Sequence, residues 1–262
     1  MYENIEVIRD GRVATVALNR PEVLNAISQS VALEVTAAVR ELDSDSGVGV
    51  IVITGRGKHF CAGGDIKKMK KLVDSKQFLS ADSIADCDAM AAAIRYCSKP
   101  VIAMVNGTAT GAGCSVAMAC DFRFVAPSSK LGMAFLNMGL PGDTGGIYLL
   151  MRLAGPTNAA RIMMTGEPVG GEEAVKLGLA SFLTGEDELE EATYAFAKKL
   201  SRKSATGIAA QKRIINKYFF GEEMQQYFLD EQKEMVWASN QPDFSEAVNS
   251  FIEKRRPEMN KQ

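Results

Sequence analysis

The chain has 262 residues, 47% of them hydrophobic, which is enough to bury the core of one large domain or of a domain with an appendage, and excludes a disordered polymer. A formal net charge of −2 and a pI near 5.7 exclude a general electrostatic pull toward nucleic acid or an anionic membrane, so any bound anion must be held locally. Five cysteines without a CxxC argue against a disulfide framework, and one histidine, His59, is too few to build a zinc site or a Ser-His-Asp triad with recognisable spacing.

The opening "MYENIEVIRDGRVATVALNRP" has no basic segment followed by an apolar run, so no signal or transit peptide is read and a cytoplasmic location is expected. Val7 to Leu18 alternates like a hairpin that turns at Asp10-Gly11. "SQSVALEVTAAVRELDSD" has helical spacing behind a Ser28 cap, and "GVGVIVITG" is the continuous apolar run of a buried parallel strand. "HFCAGGDIKKM" follows, with Ala62-Gly63-Gly64 ahead of a helix that Asp65 would cap. The stretch from Leu72 to Met90 is polar and mixed, and a second helix is expected over Ala81 to Cys97. Val101 to Cys120 carries no charge over the length of a membrane span, but Asn106, two threonines, Ser115 and three glycines interrupt it. It is read as a buried strand, a loop and a helix from about Gly111.

"DFRFVA" and "SKLGMAF" read as shorter strands. "MAFLNMGLPGDTGG" then places one charged residue, Asp143, among apolar and glycine neighbours. From about Thr144 the pattern is almost entirely helical, and Phe219, Phe220, Tyr227, Phe228, Val236 and Trp237 supply apolar surface, some of it for another subunit. Generic motifs fail: "GRGKHF" lacks the Ser/Thr of a P-loop, and "GAGCSV" breaks GxGxxG at its last position. What remains is a pair of strand ends rich in small residues, each opening a helix whose first amides are unpaired. Brought together they would make an oxyanion hole; taken singly, each also fits a tight turn without a ligand. Asp143, likewise, fits either an acid/base group or a cap for the helix beginning "GGIYLLMRL".

The segments "LNRPEVLNAIS", "VIVITGRGKHFCAGGDIKKM", "KPVIAMVNGTATGAGCSVAMACDFRFVA", "SSKLGMAFLNMGL" and "FIEKRRPEM" together resemble the crotonases, the enoyl-CoA hydratase/isomerase superfamily, along nearly the whole chain. The resemblance implies an α/β fold, a spiral of ββα turns over 1–200 holding a CoA-thioester site, and a helical C-terminal region, 201–262, used for trimers or dimers of trimers. It implies an acyl-CoA substrate and no cofactor or metal beyond the CoA of that substrate. The amides of Gly64 and Ala112 become the oxyanion hole, and Leu24, Ala26, Ala62, Asp65, Ile66 and Lys67 flank CoA. Lys254 becomes a candidate contact to a neighbouring chain's CoA, with a solvated charge cluster as the alternative.

Where hydratases of this superfamily carry two glutamates, this sequence has Ser115 and Phe135, both read as substrate-pocket lining. "GLPGDTGGIYLL" is most similar to the phenylacetate-pathway isomerase branch, which places an aspartate before a glycine pair. The resemblance therefore implies an enoyl-CoA isomerase with Asp143 as single acid/base. The alternatives are a hydratase with unconventional acid/base chemistry, a dehalogenase or hydrolase, and a non-catalytic acyl-CoA binder. Cys61 and Cys114 are read as small buried fillers and His59 as a loop residue.

Overall fold

The computed structural model describes residues 2–221 and 223–259. β1 (Ile5–Asp10) and β2 (Val13–Leu18) form the expected antiparallel hairpin, and α1 (Gln29–Ser44) starts behind Ser28, whose hydroxyl accepts the Val31 amide. β3 (Val50–Gly55) follows, then α2 (Ile66–Asp74), α3 (Ala81–Tyr96), β4 (Val101–Val105), β5 (Thr108–Thr110) and α4 (Ala112–Ala119). β6 (Phe122–Val125) and β7 (Lys130–Gly132) lead through a 3-10 turn, Ala134–Met138, to α5 (Gly146–Thr165), which breaks at Gly155-Pro156. β8 (Val169–Gly170), α6 (Gly171–Lys176), β9 (Phe182–Leu183) and α7 (Leu189–Leu200) complete the sheet region. α8 (Ala205–Ile215), a π-helical turn at Asn216–Phe220, α9 (Glu223–Ser239) and α10 (Pro242–Ile252) close the chain.

The large sheet runs β1-β2-β3-β4-β6-β9, parallel from β2 onward, and the small one runs β5-β7-β8. Two isolated parallel bridges, Ile27 to Gly64 and Cys61 to Ala109, continue the small layer backwards along the chain. Successive passes therefore lay one strand on the large sheet and one extended segment on the small layer, in the same order. This is the repeat of a ββα spiral, and it stacks the segments that end β3 and β4 side by side.

The large sheet is covered on both faces, which is why its strands read as unbroken apolar runs rather than alternating ones. Ile51 and Ile53 join the main core under α1, α3 and α4, whereas Val50 and Val52 face Leu189 and Ala197 of α7. Two expectations need correction. The "SKLGMAF" strand ends at Gly132, and β8 and β9 lie inside the region whose pattern is almost entirely helical. Strands of two residues have no periodicity; neighbouring backbone, not side-chain pattern, makes them extended.

The C-terminal helices fold back onto the core. Buried Lys212 of α8 and Arg95 of α3 both pair with Asp121 at the entrance to β6. α9 packs on α3, and α10 packs on α2 and the Ala134–Met138 turn. Phe220 and Phe228 are buried within the chain, whereas Phe219 and Trp237 are exposed. No helix among the described residues is long and apolar enough to cross a membrane.

Candidate functional site

The two glycine-rich turns lie against each other because their strands pair. The Cys61 amide donates to the Thr108 carbonyl (3.0 Å), and the Thr110 amide donates to the Cys61 carbonyl (2.9 Å). Side chains would not fit between them. A Cβ on Gly63, whose φ is +95°, would lie 2.8 Å from the Thr110 oxygen, and one on Gly113 would lie 2.5 Å from the Cys61 oxygen. The Gly63 carbonyl and Asp65 amide are taken up by Ile27 (2.7 and 2.9 Å), which leaves the Gly64 amide between them without a protein acceptor among the described residues. Ala112, the first residue of α4, is in the same state. Two unsatisfied amides at adjoining turns can hold an oxygen that gains negative charge.

Asp143 sits on a turn bent into the left-handed region at Gly142 (φ +145°), Thr144 (+61°) and Gly145 (+70°). Threonine is β-branched and resists that conformation, so the bend is strained and is held by its surroundings. The Thr144 hydroxyl donates to Asp143 Oδ1 (2.8 Å). Burial raises the Asp143 pKa from 3.8 to about 6; the Thr144 hydrogen bond opposes that shift, and the negative charge of Asp88 adds to it.

Asp143 is not a helix cap. α5 begins behind Gly145 with no side-chain cap, and the Gly145 amide donates instead to Glu231 Oε2 of α9 (2.9 Å). Ser115 does not line the site: it is fully buried, and its hydroxyl reaches the main-chain oxygens of Gly111 (3.3 Å) and Asp143 (3.2 Å). Gly146 packs so tightly on it that an added Cβ would lie 2.5 Å from Ser115 Oγ. The expected pocket residue is thus a strut between the two halves of the site.

Two cavities meet at Gly64, Asp65, Met69 and Asp143. The first, about 900 Å³, has Ala112 and Cys87 on its wall and an apolar lining that includes Leu72, Phe78, Ile84 and Val236. The stretch from Leu72 to Met90 thus forms much of it. The second, about 910 Å³, is bordered by Leu24, Ala26, Ala62, Asp65, Ile66 and Lys67, with Phe135 opposite. Asp65 is committed to structure: it caps α2 through the Lys67 and Lys68 amides and pairs with Arg20 (2.9 Å). Lys254 is exposed and stands outside both linings, whereas its neighbour Arg255 borders the second.

Cys61 and Cys114 are buried, and desolvation pushes both thiols up to about 12, so neither is poised as a nucleophile. His59 lies half-buried in the loop after β3. Among the described residues no group of His, Cys, Asp or Glu could hold a metal ion.

Sequence reading missed Asp88, Glu231 and Tyr227, which lie behind Asp143. A signal was present: Asp88 follows Ile84 at helical core spacing, and Glu231 interrupts the buried register Met224, Phe228, Met235. A carboxylate in an apolar stripe marks a buried polar site.

The spiral stacks two turns with unsatisfied amides beside a carboxylate without a cation partner among the described residues, where two large cavities meet. The chain belongs to the enoyl-CoA hydratase/isomerase family, whose model, "Enoyl-CoA hydratase/isomerase", matches residues 9–262. It is similar to a protein named a probable enoyl-CoA hydratase from Mycobacterium bovis (37% identity, 98% of each chain). It is also similar to a trans-2-decenoyl-[acyl-carrier-protein] isomerase from Streptococcus mutans (33%, covering 95% of this chain and 94% of the other). A crystal structure of an enoyl-CoA hydratase from Mycobacterium avium subsp. paratuberculosis aligns over all of both chains with a TM-score of 0.90 at 26% identity. Members of this family are enzymes.

Proposed function

We propose that this enzyme is an enoyl-CoA isomerase that moves a double bond from the β,γ to the α,β position with Asp143 as its only acid/base. The observation that carries the reading is that Asp143 is the one carboxylate on the shared wall of the two cavities with no cation partner among the described residues; Asp65, beside it, is paired with Arg20.

Ionised Asp143 takes a proton from the α carbon of a 3-enoyl thioester. The electrons move into the thioester carbonyl, and its oxygen, now a dienolate, is held by the Gly64 and Ala112 amides. Protonated Asp143 returns the proton to the γ carbon and regains its charge, leaving the conjugated 2-enoyl thioester. A carboxyl with a pKa of about 6 is ionised at neutral pH and is still basic enough for the first step. Phe135 keeps the second cavity apolar near the reacting centre and supplies no carboxylate to activate water.

The CoA portion occupies the second cavity, along Leu24, Ala26, Ala62, Asp65, Ile66 and Lys67, and the acyl chain enters the first. Residues 201–262 serve association into trimers or dimers of trimers, supported by exposed Tyr218, Phe219 and Trp237. The second reading, hydration of a 2-enoyl-CoA, is favoured by the hydratase name of the 37%-identical relative. Absorbance of the conjugated thioester separates the two. Isomerisation makes the band appear from a short 3-enoyl-CoA, with loss in Asp143→Asn; hydration leaves that substrate untouched and removes the band from a 2-enoyl-CoA.

A further inference from the structure

Behind the Asp143 turn lies a second pair of carboxyl groups that the proposed reaction does not use. Asp88 of α3 is 3% exposed and Glu231 of α9 is 5% exposed. Asp88 Oδ2 accepts from Gln232 Nε2 (2.8 Å), while its buried Oδ1 meets no hydrogen-bond donor. Glu231 accepts the Tyr227 hydroxyl on Oε1 and the Gly145 amide on Oε2 (2.9 Å).

No Lys or Arg pairs with either carboxyl among the described residues. The facing titratable groups are Asp143, Asp86 and Cys87, with Tyr227 and Tyr148 on the far side; Arg152, beyond Tyr148, stacks over that ring and pairs with Glu223. Two buried carboxylates cannot both stay ionised without a counter-charge, so one keeps its proton. A carboxylic acid beside a carboxylate also supplies the donor that Asp88 Oδ1 lacks.

We propose that Asp88 and Glu231 act as one unit, a carboxylic acid paired with a carboxylate, that positions the turn carrying Asp143 and sets the electrostatic field at its carboxyl. The positioning arm is the Glu231 bond to the Gly145 amide, which holds the strained bend two residues after Asp143. The field arises from the pair's net negative charge. It makes the Asp143 proton harder to remove, through the charge of Asp88. Burial pushes both members of the pair upward from their ordinary values, Glu231 the further. Neither touches substrate, so both are positioning residues.

The inference about the field rests on Asp143 being the base, and two readouts keep them apart. The first is the pH dependence of kcat/KM on a 3-enoyl-CoA. In Asp88→Asn the charge of the pair is removed while Glu231 keeps its proton, and the acid limb moves down by about half a pH unit or more, roughly a threefold gain in activity relative to plateau well below the limb. In Tyr227→Phe the hydroxyl that favours ionised Glu231 is lost, the charge stays on Asp88, and the limb stays in place. Gln232→Leu removes the donor to Asp88 and repeats the downward shift should Asp88→Asn fail to fold. Downward shifts in Asp88→Asn and Gln232→Leu beside an unmoved limb in Tyr227→Phe are not a product of simple fold damage; unmoved limbs in Asp88→Asn and Gln232→Leu with only lower kcat or Tm overturn the proposal.

The second readout needs no turnover. At mildly alkaline pH, where Asp143 and Asp88 are ionised, the infrared spectrum retains a protonated-carboxyl band in wild type, in Asp143→Asn and in Asp88→Asn and loses it in Glu231→Gln. Absence of the band in wild type overturns the shared proton. A fully active Asp143→Asn would instead sink the reading of Asp143 as the base and leave the infrared test of the pair standing.

Discussion

The two halves of the site are built by different means. The proposed oxyanion half is backbone: the Gly64 and Ala112 amides are aimed by parallel pairing between the Cys61 and Thr108–Thr110 segments, and side chains matter there only by being small. The proposed acid/base half is one side chain on a strained turn held from outside, by Ser115 of α4 and Glu231 of α9. The first half is rigid because its hydrogen bonds belong to the sheet layer. The second can be tuned because its proton affinity depends on burial, on the Thr144 hydroxyl and on the charge of Asp88 from α3.

The largest effect expected falls on the side-chain half. Asp143→Asn keeps the shape of the turn and removes the base, so isomerisation of a 3-enoyl-CoA should fall by about 10²–10⁴. Loss of less than about tenfold would mean that another group carries the proton. The backbone half should respond next: Gly63→Ala forces a Cβ toward the Thr110 oxygen at a φ of +95° and displaces the following amide. A lost donor of this kind costs about 10²–10³ in kcat, and a change confined to KM would show that the Gly64 amide does not serve the transition state.

Smaller effects separate tuning from construction. In wild type kcat/KM should rise with pH through about 6, as Asp143 ionises. Thr144→Val removes the hydrogen bond that favours the ionised form, so the rise should move to higher pH. A shift in the other direction would sever Thr144 from the base.

The smallest effect is on stability. With its pKa raised from 3.8 to about 6, Asp143 stabilises the fold when protonated, fully below about pH 3.8, and that contribution is lost as pH rises through about 6. Asp143→Asn has no charge to bury and should therefore exceed wild type by up to roughly 2–3 kcal/mol at pH 8, a few degrees in Tm, with little difference near pH 4. Equal melting curves at pH 8 would show that the carboxylate is better solvated than its surroundings suggest.

Much of the backbone half was legible in the sequence. Continuous apolar runs ending in "CAGG" and "TGAG" required buried strands opening into helices, and Asp65 and Ser28 marked helix starts that the fold keeps. Less of the other half was. Asp143 stood out by its charge, but local pattern equally allowed a cap, and only the placement of Glu231 against the Gly145 amide excludes that. Ser115 was read as facing the substrate because it follows the oxyanion segment, yet α4 turns it onto the Asp143 carbonyl. Asp88 and Glu231 are 143 positions apart, and no window of sequence joins them.

The sequence by itself determined the strand and helix order, the two small-residue turns and the family, because these rest on hydrophobic period, steric size and local hydrogen bonding. Tertiary structure decided which carboxylate faces the cavities, which hydroxyl is a strut, and which acidic side chains share the buried space behind Asp143. Those outcomes depend on desolvation and on charges brought together from distant parts of the chain, and both exist only once α3, α5 and α9 have packed.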